Sequence, residues 1–195
     1  MTRAFLEKLP EHHLEKRISS TILDEEDQRI ASEIRRDFAG SEVSLITVLR
    51  GAKQFSDNLV SHLDHQTCKK PVILQDRFRV ESYGKAEKSN GDPKILVPLL
   101  NPERSIKHKD VVLMEDIVDK GYTMFLCALP YILRYEPNSL VIASMLTKNS
   151  KRDPIASELP LKYYGQDIDF FAVGRGLDWL EHYRRGKSIS EVIVH

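Results

Sequence analysis

Two adjacent carboxylates, Glu115 and Asp116, follow the apolar run Val111-Val112-Leu113-Met114 and precede the polar stretch Asp119-Lys120-Gly121-Tyr122-Thr123. Neighbouring acids repel each other unless they meet hydroxyls, cations or a metal. The glycine-bearing loop leads into a helix expected to start near Thr123. Backbone N–H groups at a helix N-terminus, reinforced by the helix dipole, cradle an anion. Carboxylates for sugar hydroxyls beside a cradle for a phosphate suit a ribose 5-phosphate. The plainer alternative is a strand-to-helix loop with solvated acids and an N-cap, in which Asp119 is a loop-capping residue.

The elements that must position these groups follow from hydrophobic periodicity. Ile30, Ile34 and Phe38 lie four apart and predict a helix over 24–39, stopped by Gly40. Ser44-Leu45-Ile46-Thr47-Val48-Leu49 is a continuous apolar run of strand length, broken at Arg50-Gly51, and Phe55, Leu59 and Leu63 mark the next helix. Val72-Ile73-Leu74 and Phe78-Arg79-Val80 read as two further strands. The stretch from Ser82 to Pro102 is polar and contains glycine and proline. It reads as a long mobile loop or a hairpin, either an active-site lid or an inert surface loop.

Val111 to Met114 is a buried strand ending at Glu115-Asp116. A helix is expected from about Thr123 to Tyr135, kinked at Pro130. Leu140 to Leu146 and Phe170 to Val173 complete the set of buried strands. Strands alternating with helices imply an α/β fold with a mostly parallel central sheet flanked by helices. Ligands of such sheets sit beyond the carboxyl ends of the strands at a topological switch point. That rule selects Leu49 to Gly51, Glu115 to Thr123, Lys148 and Gly174 to Asp178.

The chain has 195 residues, enough for one domain with a sizeable core. Its 29 Lys and Arg balance 29 Asp and Glu, so no long-range field favours a nucleic acid or an anionic membrane. No apolar run spans a bilayer, and the N-terminus meets charge and proline too soon for a signal peptide. Cys68 and Cys127 fit no metal spacing and suggest no disulfide framework, in keeping with the cytoplasm. Of the seven histidines, His12-His13 and His62/His65 are read as solvated surface residues rather than metal ligands.

The stretch from Val111 to Thr123 resembles the phosphoribosyl pyrophosphate motif of type I phosphoribosyltransferases. Four other segments narrow the resemblance to hypoxanthine-guanine phosphoribosyltransferases: Val48-Leu49-Arg50-Gly51, Ser82-Tyr83, Leu146-Thr147-Lys148, and Phe171 through Arg184. They occur in the family's order and cover most of the chain from Leu45 onward. The resemblance implies a single domain over 1–195 with a type I phosphoribosyltransferase fold, a small hood, and a mobile catalytic loop at about 82–102. It implies transfer of 5-phosphoribosyl from phosphoribosyl pyrophosphate to a 6-oxopurine, with Mg2+ as cofactor and neither nucleic acid nor membrane as partner. A homo-oligomer, dimer or tetramer, is the family's usual state.

Residue roles carry over in the same way. Glu115 and Asp116 would hold the ribose hydroxyls, partly through magnesium-bound water, and Asp119, Lys120, Gly121, Tyr122 and Thr123 would wrap the 5-phosphate. Asp119 would take the purine N7 proton or stabilise charge there. Lys148 would bond the 6-oxo group and N7 edge, selecting an oxo acceptor over the amino group of adenine. Phe171 would stack on the purine, if it is not simply a core aromatic. Ala172 and Asp178 would contact the 2-position side through backbone, and Asp178 would also bind Mg2+. Arg184 and the Leu49-Arg50-Gly51 backbone, where the family often has a non-proline cis peptide, would clamp pyrophosphate. Ser82 and Tyr83 would close over the leaving group.

Lys120 departs from the family's usual threonine and Arg50 from its usual lysine. Lys120 either supplies an ammonium to the phosphate, points away, or marks a regulator that keeps the fold and binds a nucleotide. A xanthine-preferring enzyme is the other alternative.

Overall fold

The computed structural model describes residues 9–64, 71–81, 93–154 and 157–195. Ser19 caps helix α1 (Ser20–Asp37), its hydroxyl accepting from the Ile22 N–H at 3.2 Å, and Arg35 and Arg36 complement the dipole in the last turn. Helix α1 buries Leu23, Asp27, Ile30, Ala31 and Ile34 on one stripe. Leu23, Ile30 and Ile34 each contribute about 1.5–3 kcal/mol there. Asp27 is the exception: the period calls for an apolar residue at its place.

The central sheet has six strands in the order β4 (Lys94–Val97), β3 (Val72–Glu81), β2 (Glu42–Leu49), β5 (Asp110–Val118), β6 (Ser139–Thr147), β7 (Leu161–Asp167). All pairs are parallel except β3–β4. Helices α1 and α2 (Lys53–Asp64) cover one face, where Leu23, Ile30, Phe55, Leu59, Val112 and Met114 share a core. The other face packs on Ile106, Met124, Tyr131 and Ile132. Strand order reverses between β2 and β5, so their carboxyl ends bound the switch point. No helix among the described residues is long and apolar enough to cross a membrane.

A second sheet of three strands, β1 (His12–Ile18), β9 (Ile189–Val194) and β8 (Ala172–Val173), forms the hood. It is antiparallel throughout. Ile18, Ala172 and Ile189 join its inner side to the α1–α2 core.

Several expectations need correcting. Val72–Leu74 and Phe78–Val80 belong to the single strand β3, whose partner β4 makes part of the expected 82–102 loop a hairpin arm. Phe170–Val173 is not a strand of the parallel sheet; it supplies the short hood strand β8. The acids Glu115 and Asp116 lie within β5 rather than after it. The expected helix from Thr123 to Tyr135 opens with a π-helical turn, Met124–Ala128, before α4 (Leu129–Leu133). There the Leu129 N–H donates to the Met124 carbonyl five residues back. Pro130 sits in the first turn of α4, where its missing N–H costs least.

Candidate active site

Strand β5 brings its two acids to the rim through a change in its pleat. Val112 and Met114 face the α1–α2 core and Val111 and Leu113 the other, but Ile117 packs with the first group and Val118 with the second. Strict alternation would reverse both, so the pleat is interrupted at Glu115–Asp116. Glu115 is only 8% exposed, and burial, then the adjacent Asp116, holds its carboxyl well above the usual carboxylate range. Burial also raises Asp116, against hydrogen bonding from its surroundings and the nearby positive charge of Arg184. The Asp116 N–H donates to Glu115 Oε1 at 3.0 Å and the Ile117 N–H to Asp116 Oδ1 at 2.7 Å. Two carboxylates held against their charge in this way form a site that hydroxyls or a cation would relieve.

The end of β2 is pressed against the same acids. The peptide Leu49–Arg50 is cis, at the place the resemblance implied. A β-carbon on Gly51 would lie 1.4 Å from Asp116 Oδ2, and one on Gly176 would lie 2.0 Å from the Gly51 carbonyl oxygen. Gly176 also has φ +104°, a conformation glycine takes without the steric cost of a β-carbon. Gly51 therefore touches both the acidic strand end and the C-terminal segment.

That segment holds itself in shape. Asp178 Oδ1 pairs with Arg184 Nη2 at 2.6 Å, and its Oδ2 accepts from the Glu181 N–H at 2.8 Å. Arg184 Nη1 donates to the Gly176 carbonyl at 2.9 Å. Glu181 bridges to Arg50 Nη2 at 2.8 Å, tying the segment to the loop after β2. Leu180, Glu181 and Tyr183 all have positive φ, a tightly wound turn for non-glycine residues.

On the other side of the switch point, Lys148 follows β6 directly and is nearly buried, its N–H donating to the Val118 carbonyl at 2.9 Å. Its ammonium lies 3.4 Å from Asp119 Oδ2. The loop 119–123 turns on Gly121 (φ 87°), whose carbonyl accepts from the Phe125 N–H at 2.9 Å. Lys120 is exposed, and its carbonyl accepts from the Asp153 N–H at 3.2 Å. Tyr122 Oη donates to Asp153 Oδ2 at 2.5 Å, so the loop is braced from outside. Thr123 is half-buried in helical conformation.

Phe171 is 48% exposed, so it is not a core aromatic, while Ala172 beside it is buried. Ser82 and Tyr83 lie outside the described residues, as do His65 and Cys68. Cys127 is a buried free thiol. His13 is exposed, as expected, with Nδ1 2.8 Å from His195 Nε2, whereas His12 is half-buried, its Nε2 2.6 Å from Tyr183 Oη and its ring edge-on to Trp179. Among the described residues, no group of three or more His, Cys, Asp and Glu side chains gathers for a metal. The expected metal residues fall into two sets, Glu115–Asp116 and Asp178.

Residues 20–178 match the family model described as a phosphoribosyl transferase domain. The chain is 31% identical over 176 residues to a hypoxanthine-guanine phosphoribosyltransferase of Bacillus subtilis (strain 168), covering 89% of this chain and 90% of that relative. The chain belongs to the hypoxanthine-guanine phosphoribosyltransferase family. A hypoxanthine phosphoribosyltransferase of Escherichia coli (strain K12) is 33% identical over 159 residues, 80% of this chain and 81% of the relative. The crystal structure of a hypoxanthine-guanine phosphoribosyltransferase from Bacillus anthracis superposes with TM-score 0.78 at 29% identity, covering 94% of this chain and 100% of that one. A hypoxanthine phosphoribosyltransferase from Staphylococcus aureus gives TM-score 0.78 at 27% identity, covering 92% and 91%. The parallel sheet with its hood is thus the type I phosphoribosyltransferase fold.

Three features of this phosphoribosyltransferase were not anticipated from its sequence: the Glu181–Arg50 bridge, the Asp153 brace, and a buried contact between Arg175 and Asp27. Only the last had a signal, the acid in the apolar stripe of α1.

Proposed function

We propose that the protein is a purine-salvage enzyme that transfers 5-phosphoribosyl from phosphoribosyl pyrophosphate to a 6-oxopurine, hypoxanthine or guanine, releasing pyrophosphate. The observation that carries this reading is the double contact of Gly51, with Asp116 on one side and Gly176 on the other. It brings the expected pyrophosphate loop, ribose acids and base segment to one point at the switch of the sheet.

In this reading Glu115 and Asp116 take the ribose hydroxyls, and backbone N–H groups of 119–123 with Thr123 take the 5-phosphate. Arg184 and the backbone of Leu49, Arg50 and Gly51 hold pyrophosphate, and Ser82 and Tyr83 close over it. Lys148 donates to the 6-oxo oxygen, with the exposed face of Phe171 available for stacking and the Ala172 and Asp178 backbone meeting the 2-position. The bond from C1 to pyrophosphate breaks as a ring nitrogen of the base attacks from the opposite face. Asp119, next to Lys148, stabilises or takes the proton on N7. The residues position the reactants, neutralise the leaving group and exclude water.

Mg2+ fits this donor set. It prefers oxygen ligands and commonly uses one or two carboxylates together with substrate oxygens and water. Glu115, held against ionisation by burial and Asp116, is a carboxylate that a cation would relieve. Asp178 would hold the ion on the pyrophosphate side, and the ion would supply charge neutralisation of the leaving group. We further propose one domain working in the cytoplasm as a homo-oligomer; the exposed apolar side chains Leu96 and Val97 of the edge strand β4, with Leu100 beyond it, support the oligomer.

The test is turnover. With Mg2+ and phosphoribosyl pyrophosphate, the purified protein should form nucleotide and release pyrophosphate with hypoxanthine or guanine and do little with adenine. Absence of turnover with any 6-oxopurine, in folded protein, would overturn the reading.

A further inference from the structure

Arg175 is 3% exposed, yet it carries a full positive charge. It stands between Gly174 and Gly176, at φ 49°, and its N–H donates to the Gly186 carbonyl at 2.7 Å. Its side chain leads away from the cleft into α1. There Nη2 meets the carboxylate of Asp27, itself 1% exposed, and reaches Asp24 Oδ1 at 3.2 Å. Asn58 on α2 donates to the same Asp27 oxygen, Oδ2, at 3.1 Å. Arg175 Nη1 is buried with no hydrogen-bond partner.

A buried ion pair is a poor way to gain stability, because desolvation offsets most of the attraction. It is a good way to fix a position, because a charge in the interior has few places to go. The groups joined here matter for that reason. Asp27 belongs to the rigid layer under the sheet, and Asn58 to the helix that follows Gly51. Arg175 precedes Gly176, the residue in contact with Gly51, and lies three places before Asp178.

We propose that Arg175 is a positioning residue for the base: its salt bridge to Asp27 pins the Gly174–Asp178 turn at a fixed height over Gly51, and so sets the space the purine occupies. Arg175 touches no reactant. The inference rests on the reading of Phe171 to Asp178 as the base segment.

The experiment separates position from stability by replacing both charges. Arg175→Met leaves the buried Asp27 carboxyl without its cation and lowers the unfolding temperature. The double variant Asp27→Leu/Arg175→Met removes both charges and restores stability. Steady-state kinetics are measured for base and phosphoribosyl pyrophosphate separately, with Arg175→Lys and Asp27→Asn as milder changes. The expected result for the double variant is a parent-like unfolding temperature with the KM for base raised about tenfold or more, as slight misplacement of a reactant would give. The KM for phosphoribosyl pyrophosphate should move less than about threefold. Arg175→Lys should recover part of the loss, and Asp27→Asn should show the same split if the double variant does not fold.

A stable double variant with parent-like KM for base would overturn the inference and make the pair merely structural. So would equal rises in both KM values, or an unchanged base KM in Asp27→Asn where the double variant does not fold. Failure of the parent chain to turn over any 6-oxopurine would remove the functional reading and this inference together. Loss of turnover on Asp178→Ala, with the Arg175 series unaffected, would remove this inference alone.

Discussion

Asp116 fills the space in which the side chain of Gly51 would begin: a β-carbon there would come within 1.4 Å of Oδ2 and 2.5 Å of Cγ. Gly51→Ala must therefore turn the carboxylate away. The obstacle is the end of a side chain, so the fold should survive with a small change in unfolding temperature. Activity should not: kcat/KM for phosphoribosyl pyrophosphate should fall about 100-fold, the scale of a misplaced reactant. Steady-state kinetics beside thermal unfolding will show whether the two effects part.

Gly176→Ala should behave differently. Its β-carbon would meet backbone, the Gly51 carbonyl oxygen at 2.0 Å, and φ +104° disfavours any side chain. Neither partner can swing aside, so both activity and unfolding temperature should drop. Equal stability of the two alanine variants would contradict the packing described here.

Lys148→Met should raise the KM for base about 10- to 100-fold, the loss of one charge-assisted hydrogen bond of about 1.5–3 kcal/mol. It should also weaken the preference for 6-oxopurines over adenine. Competition between hypoxanthine and adenine on the variant measures this directly.

Chelation of divalent cations should abolish turnover, and added Mg2+ should restore it. Asp178→Ala should reduce kcat/KM by about 100-fold or more through two routes, loss of a metal ligand and release of Arg184, paired to Asp178 at 2.6 Å. Arg184→Met isolates the second route; if its Mg2+ dependence matches the parent's, the metal effect of Asp178→Ala belongs to Asp178 and not to Arg184.

Stability should respond to acid through Asp37. Hydrogen bonds from Lys162, and also from Tyr163 and Arg36, lower its carboxyl to about 2, and the partners lie 2.9, 2.9 and 3.0 Å away. The contribution of this depressed acid is present above the unfolded value of about 4 and is lost as pH falls through about 2. Tyr163, raised to about 12 mainly by burial and then by Asp37, contributes below about pH 10 and loses that contribution as pH rises through about 12. Asp37→Asn should flatten the acid limb of unfolding temperature against pH and leave most of the alkaline limb, where burial dominates.

The parts of this molecule legible in its sequence are those where burial is complete. Strands β2 and β5 are covered on both faces, so Val43 to Val48 and Val111 to Met114 are unbroken buried runs. Helices α1 and α2 announce themselves by period. The hood strand β1 does not: in His-His-Leu-Glu-Lys-Arg-Ile only Ile18 is buried, and neither alternation nor a continuous run remains to be read. The π-helical turn was not legible because the residue types of Met124–Ala128 suit an α turn as well as a π turn. Within the site, residue types were readable and contacts were not. Arg175 and Asp27 are 148 positions apart, and only the acid's place in an apolar stripe hinted that a cation must come to meet it.

The hood has its own consequence. β1 pairs with β9 in register from His12↔Val194 to Ile18↔Ile189, joining opposite ends of the described chain. By the time Asp167 has left the ribosome, every strand of the six-stranded sheet has been made, while β1 still waits for its partner. Pairing across so long a stretch of chain is slow to form and forms only after β9 is synthesised. The part of the rim that would take the ribose 5-phosphate, Glu115 to Thr123, can therefore be complete in a nascent chain before the cover over the base exists.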